Sequence, residues 1–239
     1  MKKLRPLLFL LLLAAIGGAC WMTYVYSTRM GSRPDMVWKY HCTGAAQWER
    51  LQDQYQSVRV EVRVNDEKRL ELCNSKTESE TVGDLFAFMK EHPESQLWLA
   101  AENLSEENKG SFKHALDSLL FQYEVGIERI MVESRDWMPL NQMNRAEIYT
   151  VTALEAKAPR RLSEHQIDSV VTRLSRVVES GCISAIRIPA SWYPIMRSQY
   201  RKSDIQFIVA TPKRSQFCFM LHPRLPMLHD PRVRAVAVK

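Results

Sequence analysis

Between Val58 and Val64 the chain sets valines at 58, 60, 62 and 64 against Arg59, Glu61 and Arg63. Successive side chains of a strand point to opposite faces, so this period of two predicts a strand with one apolar and one charged face. Two environments suit it. One is an exposed antiparallel strand. The other is a closed barrel, in which the valines meet helices and the charges point inward.

The rest of the chain favours the second. Further strands are predicted over 37–42, 97–101, 127–133, 147–154, 183–188, 205–210 and 233–238, with 69–73 a short return strand after the turn Asp66-Glu67-Lys68. Helical spacing fills most of the intervals. One helix is predicted over 45–55, with Trp48, Leu51 and Tyr55 on one face, and Thr81 caps another that runs to about Glu91. Ser105 starts a third, whose apolar set is Phe112, Ala115, Leu116, Leu119, Leu120 and Tyr123. A short helix or turn is predicted over 137–144. Ser163 and Gln166 form a capping box that opens the run Ile167, Val170, Val171, Leu174, Val177 and Val178. The stretch 192–200 is also helical. Strands alternating with helices predict a parallel sheet wrapped by helices. The fold class is therefore α/β, a small (β/α)8 TIM-type barrel, with an open doubly wound sheet as the alternative. No glycine-rich fingerprint follows the first strand, so a dinucleotide fold has no support.

The N-terminus is of a different kind. Lys2, Lys3 and Arg5 precede an apolar run from about Pro6 to Tyr26. A helix needs about 20 apolar residues to cross a bilayer, and positive charges before the run favour a cytoplasmic N-terminus. Residues 1–27 are read first as a signal anchor, forming a transmembrane helix. A cleaved signal peptide, or a lipoprotein lipidated at Cys20, are the alternatives. Residues 28–35 form a linker and 36–239 a domain outside the cytoplasm, on the periplasmic or extracellular side, secreted if the leader is cleaved. As a coil the linker spans roughly 15 Å, which keeps the domain close to the bilayer.

The net charge of +6 does not mark a nucleic-acid partner. Residues 1–34 hold five basic and no acidic groups, leaving 28 basic against 27 acidic in the remainder. The residual asymmetry lies in the segment from Arg187 onward, with ten basic and two acidic residues, which could face a phosphate or an anionic surface. The five cysteines show no metal-ligand spacing. Cys42, Cys73, Cys182 and Cys218 allow three pairings, among which Cys42 with Cys73 is a candidate disulfide because both fall at neighbouring strand ends. Asn103-Leu104-Ser105 is a glycosylation sequon, meaningful only in a eukaryotic secretory route.

A (β/α)8 barrel carries its site at the C-terminal ends of the strands. Those ends hold His41, Glu61, Glu102 and Glu133. Carboxylate oxygens suit a hard divalent ion, Ca2+ or Mg2+, which makes Glu61, Glu102 and Glu133 candidate metal ligands. His41 is the candidate acid or base. Arg187, Lys213 and Arg214, from the basic C-terminal segment, are candidate phosphate ligands. Each also has a plain structural reading, as a solvated face, a cap or a loop residue. P-loop, Gly-x-Ser-x-Gly, His-Glu-x-x-His and Cys-x-x-Cys motifs are missing.

Tyr40-His41, Val60-Glu61-Val62-Arg63 and the stretch from Leu97 to Leu104 (LWLAAENL) resemble the glycerophosphodiester phosphodiesterases, relatives of phosphatidylinositol-specific phospholipases on the same barrel. The resemblance covers about 38–135. It implies acid and base histidines, acidic residues around a divalent ion, and a phosphodiester or phospholipid ligand. The pattern is degenerate. Cys42 stands where the family has an arginine after the histidine, and Arg63 stands where it has an aspartate. The second histidine expected near Cys73-Asn74 is absent, and Glu102 stands where a lysine often ends the third strand. Three expectations follow: a non-hydrolysing barrel kept as an envelope binding or assembly protein, an active phosphodiesterase or lyase with a rearranged site, or an unrelated membrane-tethered binding module.

Overall fold

The structure, a computed structural model, describes residues 15–18, 37–74, 80–211 and 230–238. The expected linker, Cys20, Lys213, Arg214 and Cys218 lie outside these residues, as does all of the expected anchor except the helical turn 15–18. Among the described residues no helix is long and apolar enough to cross a membrane.

Nine strands form one sheet: β1 (Val37–Cys42), β2 (Ser57–Val64), β3 (Leu70–Leu72), β4 (Gln96–Ala101), β5 (Ile130–Ser134), β6 (Tyr149–Ala153), β7 (Ala185–Pro189), β8 (Gln206–Thr211) and β9 (Val233–Val238). All neighbours except β2 and β3 run parallel. The first strand pairs with β2 on one side and β9 on the other, so the sheet closes into an eight-stranded barrel. The antiparallel β3 hangs beside the upper end of β2. The open-sheet alternative is thereby excluded. Among the described residues six helices accompany the sheet: α1 (Ala45–Leu51), α2 (Val82–Glu91), α3 (Lys109–Tyr123), α4 (Leu140–Arg145), α5 (Glu164–Glu179) and α6 (Tyr193–Gln199). The predicted capping box is present at Ser163 with Gln166, and the predicted cap Thr81 forms a second one with Asp84.

The edges of several elements differ from the sequence expectation. The first helix stops at Leu51, short of Tyr55. The third begins at Lys109, because the Asn108 side chain accepts from the Ser105 backbone and holds a turn there. Residues Ile127–Arg129 form a 3-10 turn and the strand begins at Ile130.

Alternation sorts the side chains as a barrel requires. On β2 the valines at 58, 60, 62 and 64 pack outward into the layer shared with the helices, together with Leu97, Leu99, Ile130, Val132, Ile186, Ile188 and Phe207. A separate inner cluster fills the barrel with Trp38, Tyr40, Trp98, Met131, Val151 and Ile208. Ala185, Ala235 and Ala237 complete it. The pairing of large with small explains the fit. Trp38 and Trp98 meet edge to face at 6.1 Å, and methyl groups from β7 and β9 leave them the space.

Candidate functional site

At the upper, C-terminal end of the barrel the inner layer turns from apolar to charged. Four strands supply its residues, by parity except at His41, which a bulge brings to the rim. Tyr40 and His41 come from β1, Arg59 and Glu61 from β2, Glu133 from β5 and Arg187 from β7. Beyond the strand ends, Glu102, Arg135 and Glu155 continue the same alternation onto the rim. Together these residues, His41 excepted, line a cavity of about 100 Å³.

A bulge places Tyr40 and His41. Lys39 pairs with Val58 but Cys42 pairs with Val60, so both intervening residues oppose Arg59 alone. An extra residue of this kind re-aims side chains. Tyr40 remains in the barrel, and His41, half exposed at the rim, has Nδ1 3.7 Å from Glu61 Oε1. The bulge also turns Cys42 outward, into the core shared with the helices.

Glu133 is buried and fully engaged. Arg187 donates to it from Nε and Nη2, both at 3.0 Å, and Arg59 donates from Nη2 at 3.3 Å. Arg59 also donates from Nη1 to Glu61 Oε1 at 2.9 Å. The other oxygen of Glu61 accepts from the Asn74 amide. Both guanidiniums lie on the Tyr40 ring, 4.7 and 5.4 Å from its centroid, and Arg59 lies 5.5 Å from that of Trp98. Burial works against the Arg59 charge, but Glu133, Tyr40 and Glu61 outweigh it and hold the guanidinium above its usual range. Burial likewise raises the Tyr40 phenol, opposed by the charges of Arg187 and Arg59. The Arg59 Nε–H is buried with no hydrogen-bond partner among the described residues. On the rim, Arg135 stands between Glu102, at 3.5 Å, and Glu155, at 3.2 Å.

Five of the sequence-derived candidates thus meet at one mouth, Lys213 and Arg214 lying outside the described residues. Glu61, Glu102, Glu133 and Arg187 share the cavity, and His41 touches Glu61. Their arrangement differs from a metal centre. Among the described residues no three His, Cys, Asp or Glu side chains are grouped to hold a metal ion. The donor set does not fit Ca2+ or Mg2+: both oxygens of Glu133 are taken by arginines, and a guanidinium already stands between Glu61 and Glu133. Period-two alternation had put Arg59 on the inward face, and the same parity from Glu133 reaches Arg135. No local signal announced their pairing.

The expected Cys42–Cys73 disulfide is not formed; both thiols are free, as is Cys182. Cys42 pairs with Val60 and shares its outer face, donating from Sγ to the Gly44 carbonyl at 3.3 Å. Cys73 donates its backbone N–H to Glu61, and its thiol is raised by burial and then by the charge of Glu102. Adjacent on one edge of β2, the two side chains belong to opposite faces.

No family model and no curated protein matches the chain. Solved structures do. A glycerophosphodiester phosphodiesterase from Parabacteroides distasonis aligns over 85% of this chain and 93% of its own, with a TM-score of 0.55 and 11% identity. An Oleispira antarctica phosphodiesterase, solved with its product sn-glycerol-3-phosphate, aligns over 85% and 92%, with a TM-score of 0.56 and 12% identity. The chain has the barrel fold of the glycerophosphodiester phosphodiesterases. Dihydropteroate synthase from Stenotrophomonas maltophilia shares the barrel more distantly, at a TM-score of 0.50 and 10% identity over 85% and 86%. Fold does not fix chemistry, so function is argued from the mouth itself.

Proposed function

We propose that this phosphodiesterase-like barrel binds a phosphate ester at its mouth without hydrolysing it, and that residues 1–27 hold it beside a membrane as an envelope binding protein. One observation carries the reading: the Arg59 guanidinium stands between Glu61 and Glu133, where carboxylates would otherwise be free for a divalent ion. Phosphodiester cleavage also calls for a base to activate the nucleophile and an acid to protonate the leaving oxygen. Among the described residues His41 is the only histidine paired with any of these carboxylates. Binding is favoured by Arg187 and Arg59, whose side chains line the mouth and can donate to phosphate oxygens. The apolar run at the N-terminus supports the tether.

The test uses the full chain in lipid nanodiscs. Calorimetric titration with inorganic phosphate is expected to show binding that Arg187→Met weakens. Bis(p-nitrophenyl) phosphate and glycerophosphodiesters are expected to turn over no faster than without protein, with or without Ca2+ or Mg2+. Metal-dependent hydrolysis abolished by His41→Ala would establish the active phosphodiesterase instead.

A further inference from the structure

Beside the mouth lies a second cavity, of about 300 Å³, bounded by the segment after β5 and by α5. Its apolar wall is Trp137, Leu174 and Val177; its polar wall is Arg135, Glu155 and Arg173. Arg135 and Glu155 line the mouth as well, so their 3.2 Å ion pair is the shared boundary of the two spaces. On the other side, Glu155 and Arg173 also line a further hollow of about 470 Å³, with Lys157, Leu162 and Val170. The charges are unbalanced. Glu155 is already engaged by Arg135, whereas the guanidinium of Arg173 and the ammonium of Lys157 pair with no described residue. A cavity with an apolar wall and uncompensated cations suits an anion that carries a hydrocarbon group.

We infer that this cleft receives the apolar substituent of an anionic phosphate ester, with Arg173 and Arg135 facing its charge and Trp137, Leu174 and Val177 its hydrocarbon. The ligand class is then an alkyl or acyl phosphate ester, not a fully water-soluble headgroup. This deepens the reading of the mouth and rests on it only through the shared boundary at Arg135 and Glu155.

Hexyl phosphate and inorganic phosphate distinguish the two. Each is titrated calorimetrically into the full chain in lipid nanodiscs, with empty nanodiscs as the blank. Burying two methylenes is worth about tenfold in affinity. Hexyl phosphate is therefore expected to bind at least about tenfold more tightly than inorganic phosphate. Trp137→Ala is expected to remove most of that advantage and leave inorganic phosphate unchanged; Arg173→Glu, on an exposed position, is expected to weaken hexyl phosphate by at least as much. Equal affinities for the two ligands would overturn the cleft while the mouth reading stands. An advantage that survives both substitutions would place the hydrocarbon elsewhere and also overturn it. Binding of hexyl phosphate alone, sensitive to Arg173→Glu, would support the cleft and defeat the mouth. Binding of neither ligand would defeat both.

Discussion

Arg187 holds Glu133 by two parallel hydrogen bonds, Nε to Oε2 and Nη2 to Oε1, each 3.0 Å long. The two residues stand on β7 and β5, with β6 between them, and Arg59 reaches the same carboxylate from β2. The network therefore braces the barrel across its mouth as well as charging it.

Removal of Glu133 should be costly. Glu133→Ala leaves two buried guanidiniums without their common acceptor, and breaking a buried pair costs about 3–5 kcal/mol. Glu102→Ala breaks only a rim pair with exposed Arg135, for which about 0–1 kcal/mol is expected. Urea unfolding of the two variants should show this contrast.

Acid stability should depend on Asp230, the buried residue that leads into β9. Burial alone would raise its carboxyl, but hydrogen bonds from Arg232 and Tyr193 outweigh that and hold it at about 2. A carboxyl lower in the folded than in the unfolded state stabilises above its unfolded value, near 3.8, and that contribution disappears as pH falls through about 2. The contribution is about 2 kcal/mol. Asp230→Asn should therefore lower stability at pH 7 and flatten its fall between pH 4 and pH 2, as read from unfolding midpoints against pH.

Alkylation without reductant, followed by peptide mapping, should find Cys42 and Cys73 as thiols. Cys42 is expected to react slowly because it is buried, and its thiol is raised chiefly by that burial. Cys73 should react faster after Glu102→Gln, since removing that charge lowers its thiol and increases the reactive thiolate.

Helix α5 should lose stability with its cap. The Ser163 hydroxyl accepts from the Gln166 N–H, and Gln166 returns the bond to the Ser163 N–H. Ser163→Ala should cost about 1 kcal/mol, measurable by thermal unfolding.

The sequence alone determined the faces of the strands. A period of two along 58–64 separates valine from charge whatever the neighbours are, and the same rule sends Glu133 inward. Alternation of strand and helix then made a barrel the natural closure, and the capping box of Ser163 and Gln166 was legible because its partners lie three residues apart. The convergence of His41, Glu61, Glu102 and Glu133 at one mouth was equally legible, because strand ends of a parallel barrel share one rim, whereas the place of Arg187 there came from the structure. Tertiary structure decided what those groups do to one another. Pairing across the barrel depends on register between strands far apart in the chain, as with Arg59 and Glu133, 74 residues apart. The bulge at Tyr40 and His41 exists only relative to β2, and it sets Cys42 on the face away from Cys73. Local sequence could name the carboxylates as metal ligands; only the closed barrel showed an arginine standing between them.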